Sequence, residues 1–186
     1  MKKPKFLLLV TIIASILLCS SCVSDVDFDQ AENILPTPVF EASLIFSNLE
    51  GPSFVDDVTQ DEVLILTDTT RLEYINSDFF VDQLAKTELT FEFTNSIDRN
   101  FNIDLVFVTD ADEQRYLAQI DVPSGQHDAP IEVTSSFLIE EPELSTFEEA
   151  TKLIYRITLP ASTNPIDATT LGSLKLESKA TFYFEL

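Results

Sequence analysis

The sequence has few of the residues on which most enzymes and metal sites depend. It contains no tryptophan, three glycines, one histidine and two cysteines, Cys19 and Cys22. The glycines are far apart in sequence, so they cannot form a glycine-rich phosphate loop. After Cys22 the chain has no cysteine, which excludes a thiol nucleophile, a cysteine zinc site and a disulfide from that part of the protein.

Basic residues are also scarce. The chain carries 11 Lys and Arg residues against 32 Asp and Glu residues, a formal net charge of −21 at pH 7. Three of the basic residues lie in the first five positions. A surface this acidic repels phosphate backbones and anionic headgroups, so we expect no nucleic-acid partner.

The start of the chain is typical of an export signal. Lys2, Lys3 and Lys5 precede an apolar run from Phe6 to Leu18, and small residues follow. This order indicates a secretory signal peptide. The apolar run holds 13 residues, whereas a helix that spans a membrane needs about 20. We therefore predict a cleaved signal peptide and not a transmembrane helix.

The end of this segment, Ser20-Ser21-Cys22, resembles the lipobox of bacterial lipoproteins, although Cys19 stands where that family usually has Leu. The resemblance implies cleavage before Cys22 and acylation of that residue on its thiol and amine. Two or more acyl chains hold a protein stably on a bilayer. The following acidic stretch, Asp25–Asp29, also looks like the export signal of surface lipoproteins in Bacteroidota, or it is simply a solvated tether.

These features divide the chain into three parts. We predict a signal peptide over residues 1–21, an acidic tether over 22–38 and one domain over 39–186. The resemblance implies a lipid anchor in the bacterial outer membrane, on its periplasmic or cell-surface side. Val23 follows the cysteine, and in Gram-negative lipoproteins an Asp at that position marks inner-membrane retention.

From Val39 onward, apolar and polar side chains alternate with a period of two, which is typical of strands with one buried face. The last alternation runs from Leu174 to Leu186 and predicts a strand that is fully part of the core. The apolar rows expected to face inward are Phe40, Ala42, Leu44 and Phe46; Leu89, Phe91 and Phe93; Phe101, Ile103, Leu105 and Phe107; Tyr116, Ala118, Ile120 and Val122; Ile131, Val133, Phe137 and Ile139; alternate residues of Leu153–Leu159; and Leu174, Leu176, Ser178, Ala180, Phe182, Phe184 and Leu186.

The connections give further predictions. The turn Asn95–Asn100 indicates a hairpin between the strands on either side of it, and residues 67–70 read as a turn between two short strands. Residues 77–86 could form a short helix that begins at Ser77 and turns Phe80, Val81 and Leu84 to one face. A second helix is predicted from the capping box Ser145–Glu148, with Ser145 as its N-cap.

Together these patterns predict an all-β fold, an antiparallel β-sandwich of about eight or nine strands with one or two short helices. The run of strands, late helix and closing strand is loosely similar to small immunoglobulin-like domains of uncharacterised lipoproteins. The similarity has no diagnostic motif, and so it implies a fold and no activity.

Two acidic loops and one histidine are the candidate sites. Asp110, Asp112 and Glu113 lie in a predicted loop and form a candidate weak cation site, because calcium prefers several oxygen ligands from loops. A second acidic loop contains Asp56, Asp57, Asp61 and Glu62. The nearby residues Ser124, His127 and Asp128 have the residue types of a catalytic triad, but residues this close on one turn do not readily converge.

The sequence therefore predicts a noncatalytic envelope lipoprotein that binds or scaffolds a partner. We expect no metal, no cofactor and no catalytic residue. The partners are the membrane, through Cys22, and an envelope protein or a glycan. Two alternatives stay open: a carbohydrate-binding accessory lipoprotein, which exposed aromatic residues on one face would favour, and a small hydrolase, which needs loop carboxylates that converge in a cleft.

Overall fold

The computed structural model describes residues 37–185, except residues 73, 74 and 76. The predicted signal peptide, the predicted acylation site Cys22, most of the predicted tether and Leu186 lie outside the described residues. Within them, the strands and helices are β1 (Val39–Glu50), a 3-10 helix (Gly51–Phe54), β2 (Ile65–Arg71), α1 (Asp78–Gln83), β3 (Leu84–Asn95), β4 (Phe101–Val108), β5 (Gln114–Val122), β6 (Ile131–Ile139), α2 (Glu143–Phe147), β7 (Lys152–Thr158) and β8 (Ser173–Phe184).

The strands form two four-stranded sheets. The first sheet has the order β1-β8-β3-β6 and the second the order β2-β7-β4-β5, and every pair of neighbours is antiparallel. The predicted antiparallel β-sandwich with short helices is therefore confirmed. Strand β8 lies between β1 and β3, so the last strand is a central element of its sheet, as the long alternation predicts.

The strand order gives a finer description of the sandwich. Strands β1 and β8, β2 and β7, β3 and β6, and β4 and β5 are neighbours, so the first half of the domain lies antiparallel to the second half like one long hairpin. Rolling such a hairpin over itself produces two sheets, which is the architecture of the double-sheet jelly roll. Immunoglobulin domains divide their strands between the sheets differently.

The predicted inward rows form the core between the two sheets. The rows of β3, β4 and β8 are buried within the described residues apart from Ser178, and β5 buries its last three members. Strand β6 follows its row less closely: Ile131 is exposed, while Val133 and Phe137 are partly buried. Strand β6 is the edge of the first sheet, where the second sheet covers it less completely.

A bulge in β1 changes the predicted inward row of that strand. The pairing with β8 moves from Ser43 opposite Lys179 to Phe46 opposite Glu177, so Leu44 and Ile45 together face Ser178. The Ser178 hydroxyl fills the irregularity, since it accepts from the Ile45 amide at 2.9 Å and donates to the Ile45 carbonyl at 3.0 Å. An extra residue reverses the faces beyond it. As a result Ile45 is buried and Phe46, predicted to face inward, is exposed.

The predicted hairpin between β3 and β4 is wrong. Strand β3 pairs with β6 and β8, whereas β4 pairs with β5 and β7 in the other sheet. The connection is fixed by the Asn95 side chain, whose amide donates to the Arg99 carbonyl at 2.8 Å and to the Pro123 carbonyl at 2.7 Å. Two alternating strands joined by a short turn look the same in sequence whether the turn closes a hairpin or crosses between sheets.

The assignment of residues 67–70 as a turn is also wrong, because these residues lie within β2. Strand β2 is the edge of the second sheet and pairs with β7 alone. Its sequence, ILTDTTR, has few apolar residues because little of an edge strand faces the core. Threonine nevertheless suits a strand, since its β-branched side chain packs well on a pleated surface.

The first predicted helix is present as α1, with Ser77 at its N-cap and Leu84 just after its end. Phe80 and Leu84 are buried as predicted, whereas Val81 is exposed. A helix of this length buries only a narrow stripe. Among the described residues, none of the helices combines the length and the apolar character needed to cross a bilayer.

The predicted capping box at the second helix is wrong. Helix α2 begins at Glu143, two residues before Ser145, and the Ser145 hydroxyl donates to the Pro142 carbonyl at 3.1 Å. Glu148 is not near the start of the helix but at its C-cap, where it is buried. Burial, together with the nearby charge of Glu141, raises the pKa of Glu148 from 4.5 to about 6.

Glu148 should make the domain more stable as the pH falls through the weakly acidic range. Because its folded pKa exceeds its unfolded pKa, the folded state gains a proton first between about pH 6 and pH 4.5. The ionised carboxylate weakens the fold above that window. We expect Glu148→Gln to raise the free energy of unfolding at pH 7.5 by about 1–2 kcal/mol, as measured by urea melts.

The matched control for this prediction is Glu140→Gln, which removes the same charge from an exposed position close in sequence. It should leave the stability at pH 7.5 nearly unchanged. The gain from Glu148→Gln should also shrink at pH 4.5, where the native residue is protonated. An equal gain from both variants at every pH would assign the effect to net charge and not to burial of Glu148.

A candidate binding cleft at the loop end of the sandwich

Strands β1 and β8 both run along the first sheet from one of its ends to the other. Residue Val39 of β1 lies opposite Tyr183 of β8, and Glu50 lies opposite Ser173. The end that contains Val39 is where the chain enters the domain, and we name it the entry end. The other end, which contains Glu50 and Ser173, carries the loops described next, and we name it the loop end.

A cleft of about 620 Å³ opens at the loop end. It is bounded by the ends of β1 and β3, the β5–β6 connection and the β7–β8 connection. Most of its lining is small, hydroxyl-bearing or apolar, and Glu50 and His127 supply its ionisable side chains. The lining residues are Glu50, Pro52, Thr94, Ser96, His127, Pro130, Ala168, Thr169, Thr170, Leu171, Gly172 and Ser173.

All three glycines of the protein lie at this end, and each makes a close contact with the backbone of another segment there. Gly172 has φ +102°, a conformation that other residues rarely adopt, and a β-carbon there would collide with the Ser96 carbonyl. A β-carbon at Gly125 would collide with the Asn95 carbonyl. The loops around the cleft are therefore held tightly against the end of β3.

Side-chain hydroxyls fix the remaining loop. The Ser96 hydroxyl accepts from the Ser173 amide at 2.8 Å, which joins the end of β3 to the start of β8. The Asp167 carboxylate accepts from the hydroxyl and the amide of Thr169, each at 2.8 Å, and from the Thr170 hydroxyl at 3.2 Å. These hydrogen bonds, led by the Thr169 hydroxyl, lower the pKa of Asp167. The cleft is thus preorganised.

The three residues with triad chemistry do not act together. The Ser124 hydroxyl donates to the Asp98 carboxylate at 3.2 Å, and the Ser124 amide donates to the Asn100 side chain at 2.7 Å. His127 and Asp128 are both exposed, and of the three residues only His127 lines the cleft. A nucleophile whose hydroxyl is directed to Asp98 is not activated by a histidine.

In the candidate cation loop, each acidic side chain contacts a different side chain of the protein itself. Asp112 binds the Lys152 ammonium at 2.5 Å, and Glu113 binds the Arg115 guanidinium at 2.7 Å. Asp110 accepts from the Thr151 hydroxyl at 3.1 Å. Over the described ranges no group of three or more His, Cys, Asp or Glu residues is placed to hold a metal ion. The three predicted ligands therefore do not converge.

In the second acidic loop, Asp56 and Glu62 stabilise the fold through hydrogen bonds and an ion pair. The Asp56 carboxylate accepts from the amides of Thr59 and Val58 at 2.8 and 2.9 Å, and these bonds lower its pKa. Glu62 forms a buried ion pair with Arg99 and also accepts from the Ile166 amide at 2.7 Å. Asp56 thus shapes its own turn, while Glu62 joins three separate connections of the chain.

A second concave surface lies at the entry end, with a volume of about 380 Å³. Its wall is almost wholly apolar, and we name it the aromatic groove. It is lined by Pro38, Val39, Phe40, Phe79, Phe80 and Phe184. Phe80 packs on Phe184 with ring centroids 5.1 Å apart, and Phe79 packs on Phe184 at 5.2 Å. Two of these residues, Phe80 and Phe184, also belong to the buried core, so the groove is continuous with the core.

No protein-family model and no curated protein sequence matches this chain. Some solved structures are similar to it. A protein of Parabacteroides distasonis, described only as a candidate secreted protein, is 15% identical with a TM-score of 0.45; the match covers 63% of this chain and 38% of that one. The VP2 subviral particle of infectious bursal disease virus is 8% identical with a TM-score of 0.49; the match covers 80% of this chain and 33% of that one.

The chain thus spans less than half the length of either of these proteins. An isomalto-dextranase of Arthrobacter globiformis T6, solved with panose, is also similar, at 8% identity and a TM-score of 0.30 over 63% of this chain. Similarities this weak carry no functional argument. The function must therefore be argued from the cleft, the groove and the sequence.

The lining of the cleft bears on the two alternatives that the sequence leaves open. Glu50 is its one carboxylate, so the paired carboxylates of a glycoside hydrolase do not line it. None of its residues is Phe, Tyr or Trp, so it offers no large aromatic ring for stacking on a sugar. Sequence reasoning missed the cleft because its lining comes from four distant segments. The clustering of all three glycines could not be read from their spacing.

Proposed function

We propose that this protein is a lipid-anchored, noncatalytic binding module of the bacterial envelope, and that it presents its loop-end cleft to an envelope partner. One observation carries the proposal: β1 and β8 each extend from the entry end to the loop end. A strand of 12 residues is roughly 35–40 Å long. The chain therefore joins the domain at one end, and the preformed cleft opens at the other.

The anchor is supported by the sequence. Ser20-Ser21-Cys22 follows a basic and apolar signal segment, an order similar to that of lipoproteins. Acylation of Cys22 would attach the bilayer to the part of the chain that reaches the domain at Pro38, at the entry end. The loop end is the end of the domain farther from that attachment. Outer-membrane attachment, on the periplasmic or the cell-surface side, belongs to the same proposal.

A binding role fits the cleft better than catalysis does. Its loops are fixed by hydrogen bonds and glycine contacts, and a rigid sandwich that presents loops is a common basis for recognition. Its lining combines hydroxyl-bearing and apolar side chains, and Leu171 of the β7–β8 connection is exposed. Such a mixture suits a protein segment with both polar and apolar groups. This lining therefore favours a protein partner over a glycan.

The test is recovery of partners from native envelopes with the affinity-tagged full chain. Leu171 is 68% exposed, so Leu171→Glu should fold normally and place a charge on the rim of the cleft. We expect it to lower recovery of the bound partner at least severalfold. The matched control is Leu138→Glu on β6, where the native side chain is 53% exposed. This control should recover the partner at the native level.

The anchor is read from the same preparations. Cys22→Ser should move the protein from the membrane fraction to the soluble fraction, and mass spectrometry of the native protein should show an acylated Cys22. An unmodified Cys22 in the mature protein would disprove the anchor. Undiminished recovery with Leu171→Glu would disprove the role of the cleft, whatever the outcome for Cys22.

A further inference from the structure

We infer that the aromatic groove docks on the surface of the lipid bilayer to which Cys22 is attached. This inference rests on the proposed anchor and adds to it a second, noncovalent contact with lipid. The groove would set the orientation of the domain, whereas the acyl chains alone would leave the domain free to turn on its tether.

The first support is the shape and composition of the groove. Phe79 is 54% exposed although it is held against the core residue Phe184. Val39 and Phe40, which also line the groove, are exposed as well. Isolated apolar residues are common on protein surfaces, but a contiguous apolar surface usually marks a contact with a protein or a membrane. Aromatic rings fixed in position lose little entropy when they enter such a contact.

The second support is the position of the groove on the chain. Pro38, Val39 and Phe40 line it, and Pro38 comes 16 positions after Cys22. A fully extended chain of that length spans at most about 55 Å, which bounds the distance from the groove to the bilayer. A short connection of this kind creates a high effective concentration, so a contact of low intrinsic affinity is sufficient.

The third support is charge, which favours neutral lipid over a second copy of the chain. The groove residues carry no charge, while Asp82 within α1 and Glu185 next to Phe184 are both exposed. Two copies that met through this surface would bring their acidic flanks together. A zwitterionic bilayer has no net charge and avoids this repulsion, whereas an anionic bilayer would weaken the contact.

The absence of tryptophan from the protein makes a direct test simple. Phe79→Trp places a single indole in the groove of the full, acylated chain. Phe46→Trp is the matched control, since Phe46 is 68% exposed and lies on β1 outside the groove. Each variant is reconstituted on phosphatidylcholine vesicles with and without brominated acyl chains. Vesicle flotation, tryptophan emission and sedimentation are then measured.

We expect both variants to float with the vesicles. The indole at position 79 should shift its emission to the blue and be quenched at least twofold by brominated lipid, and the indole at position 46 should do neither. Added phosphatidylglycerol should reduce the quenching at position 79. Flotation without quenching at position 79 would overturn the groove contact and leave the anchor intact.

The other outcomes also decide the question. A blue shift at position 79 without quenching by brominated lipid, together with a doubled mass in sedimentation, would show that a second copy covers the groove and would overturn the inference. Loss of flotation for both variants would overturn the anchor and the groove contact together. Quenching at both positions would show a nonspecific approach to lipid and would also overturn a groove contact.

Discussion

Replacing Phe182 by Asp is expected to unfold the domain. Phe182 is 2% exposed and lies on the central strand β8, with Phe40 opposite it on β1 and Thr87 opposite it on β3. Its ring packs edge-on against Phe80 at 5.0 Å. Truncating a buried Phe costs about 3–5 kcal/mol, and an unpaired carboxylate in its place adds a further penalty. Together these costs approach the whole stability of a typical domain.

Two further variants make this prediction quantitative. Phe182→Leu removes the ring without a charge and should cost about 1–3 kcal/mol, which urea melts can measure. Tyr183→Asp places the same charge one residue away, where the side chain faces outward and contacts Lys86 and Glu88. This change should be much milder than Phe182→Asp. Equal destabilisation by the two Asp variants would contradict the assignment of the faces of β8.

Arg99→Met is expected to cost about 3–5 kcal/mol, because it leaves the Glu62 carboxylate buried without its cation. The two side chains are 4% and 9% exposed, respectively. Arg99 also donates to the Pro160 carbonyl at 2.7 Å and to the Asn164 carbonyl at 3.2 Å. The variant therefore loosens the β1–β2, β3–β4 and β7–β8 connections together. The loss of stability should appear as a lower urea midpoint.

A double-mutant cycle isolates the ion pair from the other contacts. Replacing both charges with apolar residues, as in Arg99→Met with Glu62→Leu, avoids an unpaired buried charge and is often far less damaging than losing one partner. We expect the double variant to be more stable than Arg99→Met alone. Strict additivity of the two single changes would show that the pair is not coupled.

The control for the buried pair is a partly exposed one, Lys175 with Glu177. Lys175→Met should change the free energy of unfolding by about 1 kcal/mol or less.

The sequence was most informative where one strand face is buried. Alternation predicts most of the core rows of β3, β4, β5 and β8, because the buried residues of these rows meet the opposite sheet. It does not assign those strands to sheets, so the prediction of a hairpin at Asn95–Asn100 is wrong. Alternation also gives the wrong face for Phe46, because the local sequence does not indicate the bulge at Ile45. The residue that fills this bulge, Ser178, lies 133 positions after Ile45.

The sites were harder to predict than the core. Acidic residues close in sequence suggested a cation loop, but the partners that neutralise Asp112 and Glu113 include Lys152, which is 40 positions away from Asp112. The cleft and the Arg99–Glu62 pair likewise join segments that are distant in sequence. A pattern in one sequence shows which residues are close along the chain, and not which are close in space. Such groups can therefore be recognised only once the topology is known.

The pairing of β1 with β8 has a consequence for how the domain forms. Val39 pairs with Tyr183, 144 positions later, and β2 and β3 likewise pair with β7 and β6, which follow much later in the chain. Contacts this distant make folding slow, because the loop must close before the contacts reward it. If the chain is exported N-terminus first, as proposed above, β1 would leave the compartment of synthesis before its partner β8 and with Ile45, buried in the folded domain, uncovered. Under that proposal, the same topology would keep the exported chain unfolded until its final strand had crossed, and the unpaired strands would be open to aggregation until then.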